Sequence, residues 1–160
     1  MKALSIRQPW AWAIIHGGKR VENRDWKGCA YRGEVLIHAS KWPATSKGKA
    51  YESFVDEALS AVRTAQDTGW PLPKPACFAL RDMLDSRGGI VGIARIVDVL
   101  EHEAPSWIVT ETERIWWTGG FALVLDDVRP LPLIPCVGAL GLFNVPPPVA
   151  GAVRVARNGA

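Results

Sequence analysis

Short apolar and alternating stretches along this chain predict six β-strands. Each stretch alternates apolar and polar positions or is rich in β-branched residues, and turn-forming residues lie at its ends. The stretch GIVGIARIVDVL gives the strongest strand signal because it is dense in Ile and Val. The predicted strands span residues 2–6, 20–24, 33–40, 89–100, 120–128 and 138–145.

Helical periodicity appears near the N-terminus and in the middle of the chain. Pro9 suits the first turn of a short helix over residues 9–16, because its missing N–H needs no partner there. Gly17-Gly18 supplies the left-handed stop of that helix. A longer helix is predicted from residue 46 to about residue 66, with apolar residues at helical spacing.

The order of these elements favours an α+β fold with a small, mostly antiparallel β-barrel, closed or half-closed, over a parallel α/β sheet. Residues 1–145 are predicted to form a single domain, and residues 41–88 a helical insertion between barrel strands. Residues 105–117 are predicted to be irregular or weakly helical. Residues 146–160 begin with three prolines and continue as a tail rich in Ala, Gly and Arg, which we expect to be flexible.

Composition narrows the class of protein. The chain has 160 residues, 48% of them apolar, which suffices for one domain with a core, and its formal charge of +3 permits an RNA or DNA partner. No apolar run is long enough to span a membrane, and we expect neither a signal peptide nor a membrane partner. Three cysteines without a C-x-x-C pattern and three histidines without ligand spacing predict no structural metal and a cytoplasmic location.

Residues 4–26 are the segment most indicative of function. They hold four cationic side chains and three tryptophans, together with a glutamate, a glutamine and an asparagine. Ordinary core segments avoid this mixture, because each buried charge or amide must find a partner or carry a desolvation cost. Such a density of polar groups between framework residues is typical of a recognition or catalytic pocket.

Lys19 and Glu22 are the candidate catalytic residues. Lys19 follows the two glycines, so its ammonium group projects from the turn between helix and strand. Glu22 and Arg24 share one face of the predicted strand, two residues apart. An exposed pair of this kind contributes only about 0–1 kcal/mol, whereas a buried Lys19–Glu22 pair supplies coupled groups for proton transfer.

The candidate ligand-binding residues carry donors, cations or aromatic rings. Arg7 offers a planar donor fork for a phosphate or a guanine edge, and Gln8 an amide that pairs with a base. Trp26 is the favoured stacking residue, whereas Trp10 is more typical of framework, and a lone His38 is more often structural than catalytic. The full set is Ser5, Arg7, Gln8, Pro9, Trp10, Asn23, Arg24, Trp26, His38, Lys41 and Trp117.

Five stretches resemble the ASCH family in order and spacing. They are LSIRQPWAWAIIHGGKRVENRDW, RGEVLIHAS, GGIVGIARIVDV, WTGGFALVLDDVRPL and GALGLFNV. The resemblance implies a small barrel similar to the PUA domain of RNA-modifying proteins, with a cleft between the first helix, the strand that follows Lys19 and neighbouring loops. Family members are thought to bind RNA or DNA, and nuclease activity is reported for some.

One smaller relative in this family has a G-x-K-x-x-T pattern and hydrolyses the acyl group of N4-acetylcytidine with a lysine, a threonine and a glutamate. Lys19 matches that lysine, but Glu22 stands where the threonine nucleophile would be. The resemblance therefore does not carry a threonine-nucleophile mechanism over to this chain.

Three functions follow as hypotheses. The first is recognition of a nucleic acid, foremost RNA, or of a modified nucleoside in a cationic, aromatic-lined cleft. The second is a hydrolase, either an N4-acylcytidine or nucleoside amidohydrolase or a ribonuclease, that uses Lys19 and Glu22. No cofactor is predicted, except that a nuclease would recruit a divalent ion through Glu22 and Asp25. A protein-interaction domain ranks third.

Overall fold

The computed structural model of the chain describes residues 1–25, 29–101 and 111–158. Within these residues the strands are β1 Lys2–Ile6, β2 Val21–Arg24, β3 Gly33–Ala39, β4 Gly89–Leu100, β5 Phe121–Pro135 and β6 Leu142–Asn144. The helices are α1 Trp10–His16, α2 Lys49–Asp67, α3 Ala79–Asp85, α4 Glu111–Trp116 and α5 Pro147–Asn158, and a 3₁₀ turn Ala76–Phe78 precedes α3.

The six strands form one curled sheet in the order β2-β5-β4-β3-β1-β6. All neighbouring strands are antiparallel except β1 and β3, which run parallel. The sheet is a half-barrel, and the predicted α+β class with mostly antiparallel pairing is confirmed. The register of β4 against β5 shifts at three places, and such bulges bend strands and increase their twist, which curls the sheet.

Helix α1 lies directly on this sheet because a glycine in β4 leaves room for it. A Cβ atom at Gly92 would lie 2.3 Å from Ile15 Cδ1 and 2.7 Å from the carbonyl oxygen of Arg129. Only a residue without a side chain permits so close an approach of a helix to the backbone. The glycine thus brings α1, and the turn that follows it, onto the mouth of the half-barrel.

Three apolar clusters hold the layers together. The inside of the curled sheet packs on α1, with Leu4, Ile14 and Ile96 at its centre. Helices α2 and α3 pack on α1 and on β2 and β5 through residues such as Phe54 and Met83. The third cluster covers the other face of the sheet with α5.

Helix α5 corrects the prediction that residues 146–160 are flexible, which is wrong for Pro147–Asn158. Ala150 and Val153 are buried against Leu36 and Ile93 of the sheet. Arg157 donates to both carboxylate oxygens of Glu34, at 2.7 and 3.0 Å. Prolines are compatible with the first turn of a helix. The buried residues of α5 are three positions apart, which is a helical spacing, but the Ala- and Gly-rich composition of the segment conceals this pattern.

Strand β5 continues to Pro135, beyond the predicted end at residue 128, although prolines interrupt it. Its second half pairs with β4, whereas β2 pairs only with Phe121 to Val124. Among the described residues, the proline-bearing half therefore has no strand on its second side, where a missing N–H costs no ladder hydrogen bond. Strand β6 is shorter than predicted and covers only Leu142–Asn144 of the predicted 138–145 strand.

The segment 105–117, which was predicted to be irregular or weakly helical, contains helix α4 over Glu111–Trp116. Residues 105–110 lie outside the described residues.

We predict that α5 stabilises the whole domain. Val153 is 0% exposed, so Val153→Ala should lower the free energy of unfolding by about 1–3 kcal/mol through lost burial and a residual cavity. Val155, on the same helix, is 75% exposed, and Val155→Ala is the matched control, expected to change the free energy of unfolding by less than about 0.5 kcal/mol. Urea unfolding measures both. Equal values for the two variants would show that α5 does not contribute to the core.

Candidate functional site

A cavity of about 450 Å³ opens at the mouth of the half-barrel. The ends of β1 and β2, the start of α1, one face of α2 and the end of α4 surround it. Its lining residues are Ser5, Ile6, Arg7, Trp10, Lys19, Glu22, Asn23, Arg24, Ser60, Ala61, Thr64, Ile115, Trp116 and Thr118. We call it the first cavity.

The turn after α1 carries Lys19 into this cavity. Gly18 has a positive φ of 74°, and a Cβ atom there would lie 2.4 Å from the Trp70 ring, so glycine is required on both counts. The Lys19 N–H then donates to the carbonyl oxygen of Ala13 at 3.0 Å. Lys19 is only 2% exposed, and its ammonium group donates to the Val21 carbonyl and, at 2.9 Å, to Glu22 Oε2.

Glu22 is shared by two cations. The alternation of β2 places Glu22 and Arg24 on one face, as the sequence predicts, and Arg24 Nη2 lies 3.3 Å from Glu22 Oε1. Arg24 Nη2 also donates to the Ser5 carbonyl at 3.1 Å, which ties β2 to β1. Lys19 and Glu22 are buried and the Arg24 side chain is 17% exposed, so this cluster, the Lys19–Glu22–Arg24 triad, is largely buried and carries a formal charge of +1.

Two residues that line the first cavity, Arg24 and Trp116, each have a buried side-chain donor without an acceptor. Within the described part of the chain, Arg24 Nε and Trp116 Nε1 are buried and have no hydrogen-bond partner. Lys19 has three donors and uses two of them. An unpaired buried donor costs free energy, and a ligand that offers acceptor atoms or negative charge would remove that cost. The chemistry of the cavity therefore fits an anionic ligand rich in acceptors.

Asn23 positions one wall of the cavity. Its side-chain N–H donates to the Trp116 carbonyl at 2.9 Å, and its side-chain oxygen accepts from the Thr118 N–H at 3.1 Å. Both contacts hold the end of α4 against β2. Asn23 thus fixes the backbone of Trp116 and Thr118 at this wall of the cavity.

The structure brings some of the other predicted residues to this cavity and leaves others away from it. Trp10 lines it, although the helical spacing indicates framework. Arg7 lies at the rim, where it pairs with both carboxylate oxygens of Glu57 at 3.0 and 3.1 Å and lies 4.6 Å from the centre of the Trp42 ring.

Gln8, Pro9 and Trp117 do not line the first cavity. Gln8 is buried beneath α1, where its side-chain oxygen accepts from the Trp12 N–H and its amide donates to Ser86 Oγ, both at 3.0 Å. The predicted ligand-binding role of Gln8 thus gives way to a position in the turn before α1, with its side chain in the core. Trp117 donates to the Gly120 carbonyl at 3.3 Å, and Trp26 lies outside the described residues.

His38 and Lys41 lie in a neighbouring cavity of about 530 Å³, the second cavity. Ser5 and Arg24 line both cavities. Ser5 Oγ and His38 Nδ1 are 2.8 Å apart, and His38 Nε2 lies 3.0 Å from the Cys136 carbonyl oxygen. Burial lowers the pKa of His38, because the protonated ring is poorly solvated there.

Helix α2 supplies cavity residues that sequence reasoning missed, namely Ser60, Ala61 and Thr64. They are small residues on one helical face, a signal that marks close packing but does not say against which element. Ile115 and Thr118 are further missed residues from the region of α4.

The predicted metal-binding partner of Glu22 in a nuclease, Asp25, lines a third cavity of about 610 Å³ with Cys29 and Tyr31. Both oxygens of Glu22 already contact cations. Among the described residues, no three His, Cys, Asp or Glu side chains form a group that could hold a metal ion.

The fold of this chain is that of a known domain family. The model of the ASCH domain family matches residues 4–126, and the chain belongs to this family. The structure is similar to that of the ASCH protein from Zymomonas mobilis, with 13% sequence identity, a TM-score of 0.50, and coverage of 96% of this chain and 93% of that chain.

A tyrosine-to-phenylalanine variant of the Zymomonas mobilis protein is similar to the same degree, with 12% identity, a TM-score of 0.50 and 96% coverage of both chains. At such identity the likeness concerns the fold alone. No curated protein matches the chain. None of the described helices combines the length and apolar character needed to cross a membrane.

We predict that Glu22 is essential for the stability of the site. Glu22→Gln leaves Lys19 and Arg24 buried without a counter-charge, and should lower the free energy of unfolding by about 3 kcal/mol. The matched control is Glu57→Gln, whose partner Arg7 is half-exposed, so the loss should stay below about 1 kcal/mol. Chemical denaturation compares the two. A smaller loss for Glu22→Gln than for Glu57→Gln would refute the assignment of the triad as a buried charge cluster.

Proposed function

We propose that this protein binds single-stranded RNA and takes one unstacked nucleotide into the first cavity. The observation that carries the proposal is the net positive charge of the Lys19–Glu22–Arg24 triad in the first cavity, whose lining residues Arg24 and Trp116 also each have a donor without a partner. Phosphate oxygens and base carbonyls are the acceptors that RNA offers. Membership of the ASCH family, which suggests nucleic-acid binding in general, supports the proposal.

The shape of the cavity is compatible with a nucleotide. Its volume of about 450 Å³ lies within the range of roughly 300–1,000 Å³ that is usual for ligand pockets. Trp10 and Ile115 give it apolar surface beside the polar triad. Proteins that read single-stranded RNA commonly stack a splayed base on an aromatic ring and hydrogen-bond its edge. A modified nucleoside offers the same base and fits the same cavity without the phosphate contacts.

We predict salt-sensitive RNA binding that depends on Arg24. Arg24→Ala removes a charge-assisted donor fork, and the dissociation constant for a labelled ten-nucleotide RNA should rise about 10-fold or more. Binding releases counterions from the RNA, and this release becomes less favourable as the salt concentration rises. The affinity of the wild-type protein for RNA should therefore fall as salt is raised. Fluorescence anisotropy over a salt series measures both effects, with DNA of the same sequence and a free nucleoside in parallel.

Two variants control this experiment. Arg81→Ala removes an exposed arginine on α3, outside the cavity, and should leave the affinity within about 2-fold of wild type. Arg24→Lys keeps the charge but not the fork and should bind with intermediate affinity. Unchanged affinity in Arg24→Ala, or equal losses in Arg24→Ala and Arg81→Ala, would overturn the proposal. Binding of the free nucleoside alone would restrict it to nucleoside recognition.

A hydrolase is the second candidate function, favoured by the 2.9 Å contact between Lys19 and Glu22 inside the cavity. Glu22 would remove a proton from an attacking water, and Lys19 would donate one to the leaving group. The substrate would be an acylated nucleoside such as N4-acetylcytidine or, for a ribonuclease, the RNA itself.

We predict for this candidate that Glu22→Gln lowers turnover by about 10²- to 10⁴-fold, as expected for the loss of a general base. Chromatography of N4-acetylcytidine and of RNA after incubation measures the product, normalised to the folded fraction of each variant. Glu57→Gln is again the control and should retain turnover. Equal turnover in wild type and Glu22→Gln would exclude Glu22 as the base.

A further inference from the structure

Ser5 and His38 form a hydrogen-bonded pair beside the second cavity, and the proposed RNA binding gives no role to His38. They are direct neighbours in the parallel register of β1 and β3. Ser5 Oγ lies 2.8 Å from His38 Nδ1, and His38 Nε2 lies 3.0 Å from the Cys136 carbonyl oxygen. A nucleophile within reach of a base, with the base oriented by a third group, is the arrangement found in covalent catalysis.

The hydrogen-bond partners define the tautomer of His38. A carbonyl oxygen only accepts, so the contact with Cys136 requires the proton on Nε2. Nδ1 then carries the lone pair and accepts from the Ser5 hydroxyl. Burial lowers the pKa of His38, which favours the neutral form of the ring that these two contacts require.

The pair borders the second cavity, although His38 itself is only 2% exposed. Ser5 and His38 line this cavity of about 530 Å³ together with Arg24 and Lys41. A Cβ atom at Gly138 would lie 2.4 Å from His38 Cε1 and 2.7 Å from Ser5 Oγ, so glycine alone lets the 136–141 loop pass so close to the pair. The two cations give the cavity an affinity for negative charge.

We propose that Ser5 is the nucleophile and His38 the general base of a second site, which transfers the acyl group of esters that carry a carboxylate or a phosphate. The juxtaposition of the pair with Arg24 and Lys41 in one cavity carries this proposal. It goes beyond RNA binding and does not depend on it, because the nucleotide is assigned to the first cavity.

The chemistry balances without a co-reactant other than water. Ser5 Oγ attacks the ester carbonyl carbon, and its proton moves to His38 Nδ1. The tetrahedral adduct expels the alcohol, which takes this proton and leaves the acyl group esterified to Ser5. Water, deprotonated by His38, then attacks the acyl carbon. Ser5 leaves with the proton, so one ester and one water become one acid and one alcohol.

The test uses the full chain and two esters, 4-nitrophenyl acetate and 4-nitrophenyl hydrogen succinate, the second of which carries a carboxylate. We expect a burst of about one equivalent of nitrophenolate, faster with the succinate, and mass spectrometry should locate the acyl group on Ser5. Ser5→Ala should abolish the burst, and His38→Gln should slow it by about 100-fold or more.

Two matched variants serve as controls for the acylation test. Ser40→Ala removes another hydroxyl that lines the second cavity and should retain the burst. Ser5→Cys should restore acylation as a thioester, which shows that any loss in Ser5→Ala does not come from misfolding. Acylation of lysines in place of Ser5, a burst that persists in Ser5→Ala, or no burst with either ester would each overturn the proposal. RNA affinity measured on His38→Gln tests the first cavity independently, because His38 lines the second cavity but not the first.

Discussion

The shared carboxylate of Glu22 is the interaction on which the site depends. Lys19 and Arg24 approach opposite oxygens of this one group, at 2.9 and 3.3 Å, in a place that is nearly closed to water. Three separate charges would be costly to bury there, whereas the cluster compensates most of that cost and keeps one positive charge in excess. Because Lys19 follows α1 and Arg24 reaches the backbone of β1, the same contacts join the helix, the edge strand β2 and the opposite side of the sheet.

Helices α2 and α4 enclose the triad and so form the walls of the first cavity. Helix α2 presents Ser60, Ala61 and Thr64 to one side of the triad, and the end of α4, held by Asn23, closes another side. Small side chains on α2 leave space, and the indole of Trp116 presents an N–H without a partner. The first helix–strand turn and β2 thus supply the charges, whereas α2 and α4 supply much of the cavity wall. A family fold alone does not dictate a ligand, so the function rests on these side chains.

The first and second cavities share Arg24 and Ser5 and differ in chemistry. The first contains a carboxylate held by two cations, and the second contains a neutral imidazole beside a hydroxyl group. Arg24 contributes positive charge to both, so a ligand in one cavity changes the field in the other. The two cavities are adjacent, and the second is lined partly by residues outside the N-terminal motif, such as His38 and Lys41.

The sequence by itself determined the features that depend on neighbours along the chain. Alternation predicted the strands and placed Glu22 and Arg24 on one face, and the two glycines predicted the stop of α1 and the projection of Lys19. Only the tertiary structure decided the features that depend on distant residues. Burial turned Gln8 into a structural residue, and packing against the sheet ordered α5 despite its prolines. The parallel register of β1 and β3 joined Ser5 to His38. Such contacts link residues far apart in the chain, and no local pattern encodes which of them will meet.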